Sequence, residues 1–403
     1  MERIFNALAY ELNGVPFDSK PLSPKEFGEF FDVSLKQKVL PLTGEALIDA
    51  HPDALTDEMR SVMKHVITRL VVTQMLNLNE FLSLYSELEK RGLHPCVVKG
   101  AVCAALCRQP EYRLSGDHDL LISADETEKY YEVLTDLGYD CKSEKENLDA
   151  DFELTFIKKG GLKIELHKTL FSREGRFADL NAVLGDVLSD CEQCRVGSSS
   201  VTTLSPTRHF LYLVLHAFKH FVTSGFGIRQ VCDIALFARK YSEQIDAKYV
   251  ADALKSVRAD KFAAAIFELS VNRLGFSCDV FASFFPLLPH EVDWKPLAND
   301  IFAGGIYGGE TVRQHSANIT LNAFSWEKKT HASVLRSIFP NASYMSEKYR
   351  YVKKNRLLLP VAWCQRLARY AFESSEKGQN GADAVKIGRE RTELLIYYGI
   401  TDR

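Results

Sequence analysis

The stretch from Asp117 to Ile122 places two carboxylates at the start of a short apolar segment. Successive side chains of a β-strand point to opposite faces, so Asp117 and Asp119 should share one face, with Cα atoms about 6.6 Å apart. The residues that follow, Leu120 to Ile122, are all apolar, which is typical of a strand covered on both faces. Two carboxylates at this spacing can share a divalent metal ion, and we expect them at an end of a sheet.

Two glycine-containing turns lie close to this segment in the sequence. Gly116 directly precedes the first aspartate, and its missing Cβ would let a backbone or a phosphate approach closely. Lys99 and Gly100 follow the β-like run Cys96 to Val98 and open a helical segment. The backbone N–H groups at a helix start favour phosphate, and Lys99 adds a positive charge.

A predicted hairpin supplies a third carboxylate. The run from Phe152 to Ile157 should pair with the run from Leu162 to His167 through a turn that contains glycine. Alternation in the second strand places Lys163, Glu165 and His167 on one face. With Asp117 and Asp119, Glu165 would hold Mg²⁺ or Mn²⁺, and a metal beside phosphate-binding groups is what phosphoryl or nucleotidyl transfer requires.

Two assignments on this hairpin stay open in the sequence. Glu153, on the first strand, could take the place of Glu165 as the third carboxylate. His167 could orient a carboxylate or contact the nucleotide, or it could make an ordinary hydrogen bond at the strand end.

These segments resemble the polymerase-beta-like nucleotidyltransferase superfamily, and within it a bacterial group of uncharacterised nucleotidyltransferases. The segments that carry the resemblance run through most of the chain: Val97–Gly100, Arg113–Ile122, Ile164–His167, His216–His220, Arg229–Asp233 and Phe339–Met345, followed by Pro360 and Arg366.

The resemblance implies an α+β fold, a small mixed β-sheet core flanked by helical N- and C-terminal regions. It also implies transfer of a nucleoside monophosphate from a nucleoside triphosphate (NTP) to a hydroxyl, with NTP as donor substrate. Asp117 and Asp119 would bridge two metal ions, and Glu165 would hold the catalytic metal and help to deprotonate the acceptor. The residues expected to contact the nucleotide are Lys99, Gly100, Gly116, Arg113, His167 and Lys219.

The sequence departs from the superfamily pattern at two places. The phosphate turn usually carries Gly-Ser, whereas here Ala101 follows Gly100, so the hydroxyl is missing. The residue between the aspartates is usually aliphatic, whereas here it is His118, which we expect to be a core histidine with its hydrogen bonds satisfied. The missing hydroxyl keeps a second hypothesis open, a catalytically silent nucleotide-binding or protein-interaction module.

Other polar groups have both a functional and a structural interpretation. Arg113 could meet phosphate or pair with a carboxylate of an N-terminal helix. Lys219 could lie near the triphosphate or on a structural helix face, and the nearby histidines, His216 and His220, lack an obvious third zinc ligand. Arg229 and Asp233 have the i, i+4 spacing of a helical ion pair.

Hydrophobic periodicity divides the chain into a helical N-terminal region 1–91, a middle region 92–200 that contains the short β-like runs, and a helical C-terminal region 201–403. The resemblance implies that the middle region 92–200 is the nucleotidyltransferase core. A long helix is predicted from Thr56 to Arg91, with Gly92 as its stop. Ser123 and Glu126 have the spacing of a capping box at the start of another helix.

Composition limits the partners. The formal net charge of -3 predicts no general attraction to nucleic acid or membrane, so the basic run Lys348–Arg356 is either a local nucleic-acid surface or a solvated helix face.

No apolar run has the roughly 18 residues of a membrane span, and the N-terminus lacks a signal-peptide pattern. Nine scattered cysteines indicate reduced thiols, and Cys191 and Cys194 alone do not make a zinc site.

These features predict a cytoplasmic enzyme whose acceptor is a small molecule or a protein. A protein partner that it modifies is a third hypothesis. Nucleic acid is the less favoured acceptor.

Overall fold

The computed structural model describes residues 1–143, 148, 151–159, 161–223, 225–290, 292–304, 342, 345, 349, 351–352, 355–366 and 381–401, without the side chains of 176, 304 and 381–387. The chain divides into two compact units: Met1–Ala217 with Gly227–Phe302, and Phe218–Phe226 with Ala303–Arg403. Four of the five basic residues of the run Lys348–Arg356, namely Lys348, Arg350, Lys353 and Lys354, lie outside the described residues. None of the described helices is long and apolar enough to span a membrane.

Helices account for most of the described structure. In chain order they are α1 Glu2–Asn13, α2 Pro24–Lys36, α3 Leu40–Ala50, α4 Asp57–Lys90, α5 Gly100–Ala104, α6 Thr127–Asp136, α7 Asp179–Leu184, α8 Pro206–Val222, α9 Ile228–Tyr241, α10 Ala247–Ser256, α11 Asp260–Leu274, α12 Lys295–Gly304 and α13 Gly381–Tyr397.

A five-stranded mixed sheet forms the centre of the first unit, in the order β1-β2-β5-β4-β3. Its strands are β1 Cys96–Val98, β2 His118–Leu121, β3 Asp140–Cys141, β4 Glu153–Ile157 and β5 Lys163–His167, and a separate hairpin consists of β6 Cys191–Val196 and β7 Ser199–Leu204. Among the described strands, only β2 and β5 pair in parallel, and the predicted hairpin is the antiparallel pair of β4 and β5. The α+β class with a small mixed sheet is therefore confirmed.

The two faces of the sheet differ because side chains alternate along β2 and β5. On one face Leu120, Ile164 and Leu166 are fully buried and belong to a core cluster that includes Phe81 of α4 and Tyr130 of α6. These apolar contacts leave the opposite face to the polar residues of both strands, and that face carries the candidate site.

The ends of two helices test the sequence predictions. The Thr56 hydroxyl accepts a hydrogen bond from the Met59 backbone N–H, and Gly92, with φ 76°, follows the last residues of α4, as expected. The capping box at Ser123 is wrong. Residues 124–126 instead form a 3₁₀ turn, and the Ser123 hydroxyl donates to the Asp125 carboxylate and does not cap the helix backbone.

His118 lies on the apolar face and stacks on Phe81, with ring centroids 4.1 Å apart and planes 10° apart. Its place in the core is confirmed, but its expected hydrogen bonding is wrong. The Nδ1 atom is buried and has no hydrogen-bond partner among the described residues. Burial lowers the pKa of His118 to about 4, because the charged imidazolium is poorly solvated there.

A buried ion pair joins the segment before β2 to α9. The Arg113 Nε and Nη2 atoms donate to the two Asp233 carboxylate oxygens at 2.9 and 2.7 Å, and both residues are only 4% exposed. Arg113 therefore has a structural partner, but the predicted partner, a carboxylate of an N-terminal helix, is wrong. Arg229 Nη1 donates to the Leu114 backbone carbonyl at 2.5 Å, so α9 holds this segment at two points.

Removing one partner of this buried pair should be costly because the other charge stays buried without compensation. We expect Arg113→Met or Asp233→Leu each to lower the free energy of unfolding by about 3–5 kcal/mol, and the double variant to lower it by less than either. Denaturant unfolding measures all three. Replacing the exposed pair Lys248 and Asp252 in the same way should change little, since water screens it. The account would be contradicted if Arg113→Met and Asp233→Leu lowered the free energy of unfolding equally and the two losses added in the double variant.

His118 predicts a pH effect on stability. The unfolded chain binds a proton on this residue near pH 6.5 and the native chain only near pH 4, so stability should fall as the pH drops through that interval. His118→Phe keeps the stack on Phe81 and should reduce this fall by up to about 3 kcal/mol. Unfolding at pH 7 and pH 4 measures it, with the exposed His65→Phe as control. A fall that is the same in wild type and His118→Phe would show that this histidine is not responsible.

Candidate metal and nucleotide site

The parallel pairing of β2 and β5 brings two carboxylates side by side. Asp119 and Glu165 are register partners on the polar face of the sheet, and the side chain of Asp119 is 2% exposed, that of Glu165 14%. His167 follows on the same face of β5. One ligand atom from each of these three residues lies within 4.8 Å of the others, so the group can hold a metal ion.

His167 is the centre of this group. Its Nε2 atom is 3.1 Å from Asp119 Oδ1 and 3.9 Å from Glu165 Oε2. Its Nδ1 atom is 3.7 Å from Glu153 Oε2 and has no hydrogen-bond partner among the described residues. Glu153 therefore lies at the other ring nitrogen and is not one of the three candidate ligands, whereas Glu165 is.

Asp117 lies at the edge of the group. Its side chain is 26% exposed, and Lys163 Nζ is 3.8 Å from its Oδ2 atom. The same Lys163 ammonium bonds Glu165 Oε1, so a single cation connects these two carboxylates. Metal binding by Asp117 remains a prediction, because it is not in the close group of three.

Lys99 directs its ammonium into the acidic face. Nζ is 3.1 Å from Asp119 Oδ2 and 3.0 Å from His216 Nε2, and it lies 6.0 Å from the centre of the Tyr212 ring. The Lys99 backbone has a φ of 58°, which side-chain-bearing residues rarely adopt, and its N–H donates to His209 Nε2 at 3.3 Å. Strained backbone held by surrounding contacts is characteristic of functional sites.

These contacts set the charges of the site. Burial alone would raise the pKa of Asp119, but Lys99 and His167 together hold it well below its usual value. Burial raises the pKa of Glu165, and the neighbouring carboxylates Asp119 and Glu153 raise it further, against the effect of Lys163. Asp119 is thus a permanent anion, while Glu165 accepts a proton more readily than an ordinary glutamate.

The donor atoms fit a divalent cation. Two carboxylates suit Mg²⁺ or Mn²⁺, and the imidazole of His167 suits Mn²⁺ better, because Mg²⁺ prefers oxygen ligands. The buried Nδ1 atom of His167 has no hydrogen-bond partner among the described residues. The group that binds Nε2 therefore decides which ring nitrogen carries the proton.

The surroundings of the two glycines near the site differ, and their contact with a nucleotide remains a prediction. Gly100 begins α5 with a φ of 35°, and a Cβ there would lie 3.6 Å from His118 Nδ1. A Cβ on Gly116 would lie 3.1 Å from Lys38 Nζ, so this residue leaves room for an ammonium group.

The other predicted nucleotide contacts have different surroundings. The Arg113 guanidinium is committed to Asp233, which places it in the structural framework. Lys219 lies in the last turn of α8, among the residues of the second unit, so its nucleotide contact remains a prediction.

The sequence interpretation missed several polar groups at or near the site. For His167 the sequence left open whether it orients a carboxylate, contacts the nucleotide or makes a strand-end hydrogen bond, and here it joins the candidate ligands. Tyr212 and His216 contact Lys99 from α8, and the helical periodicity of that segment could have placed them on one face. Lys38 comes from the N-terminal helices, and no local pattern connects it with the aspartates.

A family of proteins described as uncharacterised nucleotidyltransferases matches residues 23–275 of the chain. The chain belongs to this family. Among solved structures it is similar to an antigenic nucleotidyltransferase-like protein from Paracoccidioides brasiliensis, with 13% sequence identity, coverage of 52% of this chain and 94% of that chain, and a TM-score of 0.33. No curated protein matches the chain.

The group of three predicts a single Mn²⁺ site that can be measured directly. Asp119→Asn, Glu165→Gln and His167→Gln should each weaken Mn²⁺ binding by at least about tenfold, because each removes a ligand. Electron paramagnetic resonance of free Mn²⁺ measures the affinity, with the exposed Asp140→Asn on β3 as control. Affinity should also fall as the pH drops towards the raised pKa of Glu165. Wild-type affinity in the Asp119 variant would place the metal elsewhere.

Proposed function

We propose that this protein is a metal-dependent nucleotidyltransferase that moves a nucleoside monophosphate from an NTP to a hydroxyl of a small-molecule or protein acceptor. The observation that carries the proposal is the pairing of Asp119 and Glu165 on β2 and β5, with His167 beside them. This pairing lies within the part of the chain that matches the nucleotidyltransferase family. The free state of all nine cysteines supports a reducing, cytoplasmic location.

Asp119, Glu165 and His167 would hold Mn²⁺ or Mg²⁺, and Asp117 is the candidate for a further carboxylate ligand. When bound, such an ion neutralises charge on the triphosphate and lowers the pKa of the attacking hydroxyl. Asp119 is suited to this role because Lys99 and His167 keep it ionised.

Glu165 is the candidate general base. Its raised pKa lets it take the proton of the acceptor hydroxyl more readily than a fully exposed glutamate would. Lys163 bonds the same carboxylate and can stabilise its charged form before the proton arrives.

The triphosphate needs positive groups and close backbone approach. Lys99 and Lys163 both place ammonium groups on the acidic face, Gly100 follows Lys99 at the start of α5, and Gly116 directly precedes Asp117. We assign these residues to nucleotide binding, and we assign Arg113 to the framework because Asp233 binds its guanidinium.

A silent nucleotide-binding module is the second candidate. The observation that favours it is the ion pair of Lys99 and Asp119, in which a lysine neutralises the carboxylate that a metal needs. The absence of a hydroxyl after Gly100 points the same way. An enzyme of this kind would show metal-dependent turnover, whereas the module would bind nucleotide without transferring it.

The deciding experiment incubates the protein with each α-³²P-labelled NTP, Mg²⁺ or Mn²⁺ and a cell extract. Label should pass to an acceptor with wild type and with the exposed Glu128→Gln control. Transfer should fall by at least about 100-fold in Asp119→Asn and Glu165→Gln, the scale for losing a group that stabilises transition-state charge.

The acceptor class follows from where the label appears after fractionation into small molecules, protein and nucleic acid. Metal-dependent nucleotide binding without any transfer would support the silent module. Transfer that is equal in the parent and in Asp119→Asn would contradict the assigned site.

A further inference from the structure

Lys38 lies between α2 and α3 in a conformation unusual for its residue type. Its φ is 55°, in the left-handed region where a helix ends most easily with glycine. Its own N–H donates to the Leu35 carbonyl at 3.0 Å, and the Val39 N–H donates to the Ser34 carbonyl at 2.9 Å, which completes the helix end. A glycine would satisfy the same backbone bonds with less strain, so helix termination alone does not explain a lysine here.

The neighbouring Gln37 fixes this joint. Its buried side chain donates from Nε2 to the Ile301 carbonyl at 2.8 Å and accepts at Oε1 from the Ile228 N–H at 2.8 Å. Two buried hydrogen bonds to two other helices leave the backbone at Lys38 little freedom. The starting point of the Lys38 side chain is therefore fixed relative to the first residues of α9.

The side chain carries its ammonium to the turn before Asp117. Nζ lies 3.1 Å from the position that a Cβ on Gly116 would take. Gly116 does not adopt a left-handed φ, so its backbone conformation does not require a glycine. The feature that matters at this position is the missing side chain. The glycine leaves space beside the ammonium at the edge of the metal site.

Among the described residues, charged groups of both signs act on this ammonium. Burial lowers the pKa of Lys38, Arg229 lowers it further, and Arg113 and Lys163 act in the same direction, while Asp117 raises it. Lys163 is itself 3.8 Å from Asp117, so two lysines from distant parts of the chain converge on one partly exposed carboxylate. A polyphosphate that enters beside Asp117 would bring further negative charge to the ammonium groups of Lys38 and Lys163.

We propose that Lys38 binds the polyphosphate chain of the NTP, with Gly116 leaving the space in which ammonium and phosphate meet. This inference rests on the proposed function, and it gives the N-terminal helices a part in substrate binding. The competing explanation is that Lys38 only pairs with Asp117 and holds the turn in place.

The test is calorimetric binding in the presence of Mn²⁺, with inorganic tripolyphosphate, ATP and AMP as probes. Lys38→Met should weaken the binding of tripolyphosphate and ATP by at least about tenfold, the scale of one hydrogen bond to a charged group. AMP binding should change much less, because its single phosphate does not need the whole cation cluster. Lys36→Met, an exposed lysine two residues earlier, is the matched control and should bind like wild type.

Gly116→Ala gives a second approach that keeps Lys38. The added methyl group would lie 3.1 Å from the ammonium and fill the space beside it, so tripolyphosphate affinity should fall. Lys38→Arg, which keeps a positive charge, should retain part of the affinity. Thermal unfolding accompanies each variant, and Gly116→Ala decides the matter if Lys38→Met does not fold. Wild-type tripolyphosphate affinity in both Lys38→Met and Gly116→Ala would overturn the inference.

The outcomes separate this inference from the proposed function. Equal losses for AMP and tripolyphosphate would show a structural role for Lys38 and leave the nucleotidyltransferase proposal untouched. Selective loss of tripolyphosphate binding in a protein that transfers no label would support Lys38 as a polyphosphate ligand and refute the enzyme. No binding of tripolyphosphate or ATP by wild type would overturn the inference.

Discussion

The site depends on one parallel contact between β2 and β5. It sets Asp119 directly beside Glu165, and the core packing on the other face fixes both strands. Two adjacent carboxylates that are largely removed from water repel each other and are poorly solvated, so cations or a shared proton must accompany them. The contacts of the surrounding residues follow from that requirement.

The structure meets this requirement with side chains from several elements. Lys99 and His167 stabilise charge on Asp119, and Lys163 bonds Glu165 and approaches Asp117. The surrounding charges act differently on the two carboxylates: the pKa of Asp119 is lowered, so it remains ionised, whereas the pKa of Glu165 is raised. Two acidic groups with opposite pKa shifts can take separate roles, one as a constant charge and the other as a proton acceptor.

The sequence predicted those parts of the site that follow from local periodicity. Alternation predicted that Asp117 and Asp119 share a face of one strand and that Glu165 and His167 share a face of another, while the α+β class came from the resemblance to the superfamily. Contacts between distant segments left no local signal. The partner of Arg113 on α9 and the approach of Lys38 to Gly116 depend on how helices pack against the sheet, which periodicity does not specify.

The Lys99 contact is consistent with both candidate functions. An ammonium at Asp119 stabilises the fold when no other cation is present, because it relieves the repulsion between buried carboxylates. A divalent ion carries twice the charge and can also bind Glu165 and His167, so it competes effectively for the same carboxylate. Displaced from Asp119, the lysine would keep its positive charge close to an incoming phosphate. The same ion pair that favours a silent module therefore also provides an enzyme with a cation that is already in place for the triphosphate.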